Sequence, residues 1–95
     1  MPYVYILKCH DGSFYTGSTK NLVLRMEQHY CGQGANYTKD RLPVELVYFE
    51  EFERISDAFN REKQIQGWSH KKKESLIEGN AERLVELSKN HLMQK

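Results

Sequence analysis

Two runs rich in aromatic and β-branched residues, YVYIL (3–7) and FYTG (14–17), flank the dipeptide Asp11-Gly12. Side chains of this kind suit a pleated surface, and Gly accepts the positive φ that a tight hairpin turn demands. Residues 3 to 17 are therefore expected to form a β-hairpin. A third run, VELVYFEEF (44–52), has a nearly continuous apolar centre and reads as a strand buried on both faces. Helices fill the remainder. Asn21 can cap one that runs to about Tyr30, its side chain accepting orphan N–H groups of the first turn. Ser56 or Asp57 caps a second through about Gln66, ended by Gly67, and Ser69 opens a short third. Asn80 caps a fourth over 81–92, with Ala81, Leu84, Val85, Ser88 and Leu92 on one face. CGQGANYTKDRLP (31–43), punctuated by Gly32, Gly34 and Pro43, reads as a loop. The order β-β-α-β-α-α-α describes an α/β (α+β) fold: a small three-stranded sheet, mixed or antiparallel, flanked by helices.

With 95 residues, this is expected to be one domain, its motif core at about 3–77 and its last helix at about 80–92. A hydrophobic share of 39% is enough for a modest core and too much for a disordered tail. No apolar run reaches membrane-spanning length, and MPYVYILKCHDG lacks the pattern of a secretory signal. The expectation is a cytoplasmic protein with no membrane partner, in which Cys9 and Cys31 are reduced thiols. A net charge of +1 rules out a global basic field. A local basic face remains, because Lys20, Arg25, Lys39, Arg41 and Lys71 to Lys73 stand apart from the acidic Glu50, Glu51 and Glu53.

Helical periodicity then separates surface decoration from candidate chemistry. On the first helix Leu22, Val23, Met26 and Tyr30 share an arc, and Arg25 and His29 stack one turn apart along its edge. On the second, Ile55, Ala58, Phe59 and Ile65 define the apolar arc, and Glu62 lies in its middle although Arg61 and Lys63 offered exposed positions. A carboxylate facing a core is costly unless it is paired or binds a cation. Two readings stand: a buried pair with an Arg such as Arg25, or a metal-binding or catalytic carboxylate. Tyr3 and Tyr5 share one face of the first strand, with Tyr15 on its hairpin partner. An Arg beside such phenols would lower a pKa and hold a phosphate. Cys9, His10, His29 and Cys31 lack the ligand spacing of a zinc site, and no phosphate-cradling glycine pattern occurs.

These residues resemble the GIY-YIG nuclease family. The first tripeptide of that motif corresponds to Tyr3-Val4-Tyr5 and the second to Tyr15-Thr16-Gly17. The family's helical Arg corresponds to Arg25 and its later Glu to Glu62. The similarity runs from about Tyr3 to Leu76, and its wording is similar to a small stand-alone bacterial branch. It implies metal-dependent hydrolysis of phosphodiester bonds in nucleic acid, DNA before RNA, on branched or single-stranded substrates in repair or recombination. Glu62 would hold one Mg²⁺ or Mn²⁺, Arg25 would offset phosphate charge, Tyr5 or Tyr15 would act as base, and His29 would relay protons. Gly17, Ser18, Tyr37, Thr38, Lys39, Arg41 and Asn80 would contact the strand.

The chain also departs from the motif. It lacks the leading Gly of the first tripeptide, and Ser18 stands where some relatives carry Lys. Relatives usually draw specificity from an attached DNA-binding domain, so weak, salt-dependent binding or a partner protein that supplies specificity is expected here. The alternative is a non-cleaving module that keeps the scaffold to bind nucleic acid or a protein.

Overall fold

The computed structural model describes residues 1–79. Asn80 and the expected last helix lie outside the described residues. The described elements are β1 (Tyr3–Lys8), β2 (Phe14–Thr19), α1 (Leu22–Tyr30), α2 (Asn36–Lys39), β3 (Glu45–Glu51), α3 (Ile55–Gln66) and α4 (His70–Gly79). The strands and three larger helices follow the expected order. Two departures are α2, a single short helix within the stretch read as a loop, and the start of α3, where Arg54 takes the cap position and Ser56 and Asp57 lie inside the first turn.

The hairpin turn spans His10, Asp11 and Gly12. Cys9 N–H donates to the Ser13 carbonyl at 2.8 Å to close it, and Gly12 takes φ = +85°. This is the three-residue connection in which Gly fills the left-handed position. Asp11 Oδ1 braces it by accepting from Ser13 N–H at 3.0 Å and Ser13 Oγ at 2.5 Å.

The sheet is antiparallel throughout, in the order β2-β1-β3, which leaves β2 as an edge strand. Because side chains alternate across a sheet, β1 feeds two cores. Tyr5 and Leu7 join Cys9, Met26, Val44 and Leu46 on the α1 face. Val4 and Ile6 join Tyr48, Ala58 and Ile65 on the α3 face. β3 serves both cores through a bulge: Leu46 pairs with Leu7 and Tyr48 with Ile6, so Val47 is the extra residue.

Two helical faces are rotated from the arcs read in the sequence. On α1 the buried residues are Met26 and His29, while Val23 and Tyr30 are exposed. On α3 Ala58 and Ile65 are buried, Ile55 and Phe59 are exposed, and Arg61 turns toward the sheet. Arg61 Nη2 pairs with Glu50 Oε2 on β3 at 3.0 Å. That contact pins one side of α3 to β3 and leaves its other side over β2. No described helix is long and apolar enough to cross a membrane.

Candidate active site

Tyr5 projects from the middle of β1 opposite Gly17 of β2. A Cβ at residue 17 would lie 2.5 Å from the Tyr5 Oη and 2.7 Å from its Cζ. Only glycine leaves room for the phenol to lie across β2, which is the physical reason for the third residue of Tyr15-Thr16-Gly17.

From there a hydrogen-bonded chain runs into the α1 face. Tyr5 Oη lies 2.8 Å from His29 Nε2, and His29 Nδ1 lies 2.9 Å from Thr38 Oγ1. Thr38 Oγ1 donates its one proton to the Ala35 carbonyl at 3.1 Å. It must therefore accept from His29 Nδ1–H, so Nε2 carries the lone pair and Tyr5 O–H donates to it. α2 exists to deliver this contact, and Gly34 just before it lets the backbone pass against the His29 ring, where a Cβ would collide. His29 is fully buried rather than placed at the rim of its helix. Burial, reinforced by the Arg25 charge, pulls its pKa down to about 4. Thr38 is also fully buried, which takes it out of reach of a nucleic-acid strand.

Arg25 Nε donates to Tyr5 Oη at 3.4 Å and Nη1 to Gln28 Oε1 at 3.1 Å. Arg25 pushes the phenol toward ionisation, as the sequence suggests, but burial outweighs it and raises the Tyr5 pKa to about 12. Tyr15 completes this side, its ring 5.5 Å from His29 and 6.4 Å from Tyr5 between centroids. Tyr37 stacks on Tyr15 at 6.0 Å, and the Arg41 guanidinium lies over Tyr37 at 3.9 Å. Arg41 is already paired with Asp11 at 3.2 Å, whereas Lys39 is exposed.

Glu62 approaches from the opposite face. Its Oε1 accepts from Ser18 Oγ at 2.5 Å and its Oε2 from Gln66 Nε2 at 2.7 Å. Gln66 Nε2 also donates to the Thr16 carbonyl at 3.2 Å. Glu62 forms no ion pair with Arg25 or any other cation among the described residues. Its charge nevertheless acts on Tyr5, raising the phenol's pKa. The two halves thus meet around the edge strand: Tyr5, Tyr15, Arg25 and His29 on one face, Glu62 and Ser18 on the other.

The donor set fits one kind of metal site. Among the described residues no three His, Cys, Asp or Glu side chains gather as an all-protein cage. Cys9 is buried, Cys31 is exposed, and both His29 nitrogens are engaged, so zinc ligation by these residues does not assemble. A single un-neutralised carboxylate suits a hard cation that keeps several waters and is completed by substrate phosphate. Sequence reasoning passed over Gln66, whose i+4 spacing from Glu62 was the available signal. It also gave Gly34 no role in the site, since only the tertiary path of the 31–43 segment brings it to His29.

Comparison with known proteins shows the family and the fold. A family model described as the GIY-YIG catalytic domain matches residues 1–75. UPF0213 protein SSP2268 of Staphylococcus saprophyticus is 52% identical over 75 residues, covering 79% of this chain and 92% of that protein. The solution structure of UPF0213 protein BH0048 from Bacillus halodurans superposes with a TM-score of 0.56 at 40% identity, covering 85% of this chain and 87% of the other. The solution structure of EF2693 from E. faecalis gives 0.55 at 38% identity, covering 81% and 82%.

Proposed function

The chain belongs to the GIY-YIG family, and from that premise we propose that it is a nuclease that hydrolyses phosphodiester bonds with one divalent cation held by Glu62. DNA stands before RNA as its substrate, in branched or single-stranded form. The observation that carries this reading is Glu62 itself: a half-buried carboxylate held by two neutral donors, with no cationic partner among the described residues. A half-buried carboxylate with no cation beside it keeps its charge available to attract one.

When bound, Mg²⁺ or Mn²⁺ supplies Lewis-acid stabilisation of the phosphate and the leaving oxygen. The chain's own residues do the rest. Arg25 has no carboxylate partner among the described residues, and it offsets charge on the non-bridging phosphate oxygens. Tyr5 Oη, between Arg25 and His29, accepts a proton from the attacking water while passing its own proton to His29 Nε2. The phenol stays neutral through this exchange, so a pKa of about 12 is no obstacle. A bound phosphodiester brings negative charge beside Arg25 and so relieves one cause of the depressed His29 basicity. Thr38 holds the His29 tautomer from behind, and the Tyr15 ring packs against both Tyr5 and His29.

The test is cleavage of end-labelled single-stranded, duplex, flapped and four-way-junction DNA in Mg²⁺, Mn²⁺ or EDTA. Cutting is expected to require metal and to fall by roughly a hundredfold or more in Glu62→Gln and in Arg25→Ala. Full activity in EDTA, or no cutting of any DNA or RNA by folded protein, overturns the proposal. The second outcome leaves a module that binds without cutting.

A further inference from the structure

Two rungs tie α3 to the edge strand, one ending on the Glu62 carboxylate and one on the Gln66 amide that also donates to it. On β2, Thr16 and Ser18 lie two residues apart on the same face, about 6.7 Å along the strand. On α3, Glu62 and Gln66 lie one turn apart, a rise of about 6 Å. The spacings match, so Ser18 Oγ meets Glu62 Oε1 at 2.5 Å while Gln66 Nε2 reaches the Thr16 carbonyl at 3.2 Å. Gln66 Nε2 also reaches Glu62 Oε2 at 2.7 Å. Both amide protons of Gln66 are thereby committed, so its orientation is set and it presents only a donor to the carboxylate.

We infer that Ser18 and Gln66 are positioning residues that hold the Glu62 carboxylate ready for a hard divalent cation and set its affinity. This rests on the reading of Glu62 as the metal-binding residue. Each carboxylate oxygen accepts one neutral donor, which uses about half of the roughly four lone-pair positions of the group. The other half stays available, and the full negative charge is kept. An ion pair would fix the side chain as well but would cancel the charge that attracts the cation. Partners of this kind typically change metal affinity by about 10- to 100-fold when removed. Ser18 is then a support for the carboxylate from the strand side rather than a contact to nucleic acid. Gln66 supports it from the helix side.

The experiment follows Mn²⁺ binding to the full chain by electron paramagnetic resonance of the free ion, without substrate. Wild type is compared with Ser18→Ala, Gln66→Ala, Ser18→Thr and Glu62→Gln. The Mn²⁺ dissociation constant is expected to rise roughly tenfold or more in Ser18→Ala and in Gln66→Ala. Ser18→Thr, which restores a hydroxyl, should bind near the wild-type level. In single-turnover cleavage the Mg²⁺ requirement should move upward in the two alanine variants, with the rate recovering at saturating metal. Loss of fold does not produce that pattern, and Gln66, being exposed, tolerates truncation even if Ser18→Ala does not. Wild-type Mn²⁺ affinity in both alanine variants, with binding lost in Glu62→Gln, overturns the inference and leaves the nuclease reading standing. Unchanged binding in Glu62→Gln overturns the metal role of Glu62 and this inference together.

Discussion

His29 is held neutral at the centre of a hydrogen-bonded chain, and that has a measurable cost in acid. Its folded pKa of about 4 lies below the ordinary 6.5. Below pH 6.5 the unfolded chain takes up a proton that the folded chain refuses until pH is near 4. Stability from this residue is therefore fully present above about pH 6.5 and is lost as pH falls toward 4, by an amount on the order of 3 kcal/mol. Urea unfolding of wild type and His29→Gln across pH 4 to 7 tests this. The variant is less stable at neutral pH because Tyr5 and Thr38 lose their partner, yet its stability changes less steeply in this window. Equal slopes would mean that His29 does not resist protonation. Periodicity placed His29 beside Arg25 at the margin of α1, which is as far as a helix read in isolation can go. The rotation that buries it depends on Gly34 and Thr38, residues whose approach to α1 is a tertiary event.

The elements legible in the sequence were those specified by local chemistry. The hairpin followed from strand-forming side chains around Asp11-Gly12, and the start of α1 from Asn21, whose side chain accepts from Leu24 N–H at 3.1 Å. The face each helix buries was less legible, because a partner decides it: Arg61 turns inward to reach Glu50, and that rotation carries Ile55 and Phe59 out to solvent. α2 was hidden because four helical residues between Gly34 and Pro43 carry no periodicity to read. Tyr5, Tyr15, Arg25 and Glu62 were legible as a set through the motif resemblance, but the fit of strand to strand beneath them was not. That fit predicts the behaviour of Gly17→Ala. The new methyl would sit 2.5 Å from Tyr5 Oη, so the phenol must shift away from His29. A displacement of about 1 Å at such a group costs roughly a hundredfold in rate, while overpacking costs about 1–3 kcal/mol of stability. Cleavage assays beside thermal melts should show a folded, nearly inactive protein. Wild-type cleavage by Gly17→Ala would mean that the position of the phenol does not matter.

Across the whole molecule, a net charge of +1 gives no long-range attraction for a polyanion. Binding must come from a few cations grouped near the site. Arg41 and Arg61 are committed to Asp11 and Glu50, and of the other described cations Arg25 is in the site, with Lys20 and Lys39 exposed nearby in sequence to the α1 and α2 contacts. Each phosphate contact contributes about −0.7 to the slope of log affinity against log salt for single strands and about −0.9 for duplex. Three such cations predict a slope of roughly −2 to −3, far shallower than that of a dedicated DNA-binding protein. Fluorescence anisotropy with labelled DNA, on the cleavage-deficient Glu62→Gln background, measures it directly. Arg25→Ala and Lys39→Gln should each reduce the slope by roughly one contact's worth. Arg41→Gln should change it less, because that guanidinium is already compensated by Asp11 and acts through the Tyr37 stack. A slope near zero would remove phosphate contact from the account. A steep slope that survives all three substitutions would move the binding surface away from the β2 edge. A shallow slope assigned to Arg25 and Lys39 would locate the strand where Tyr5 and Glu62 meet.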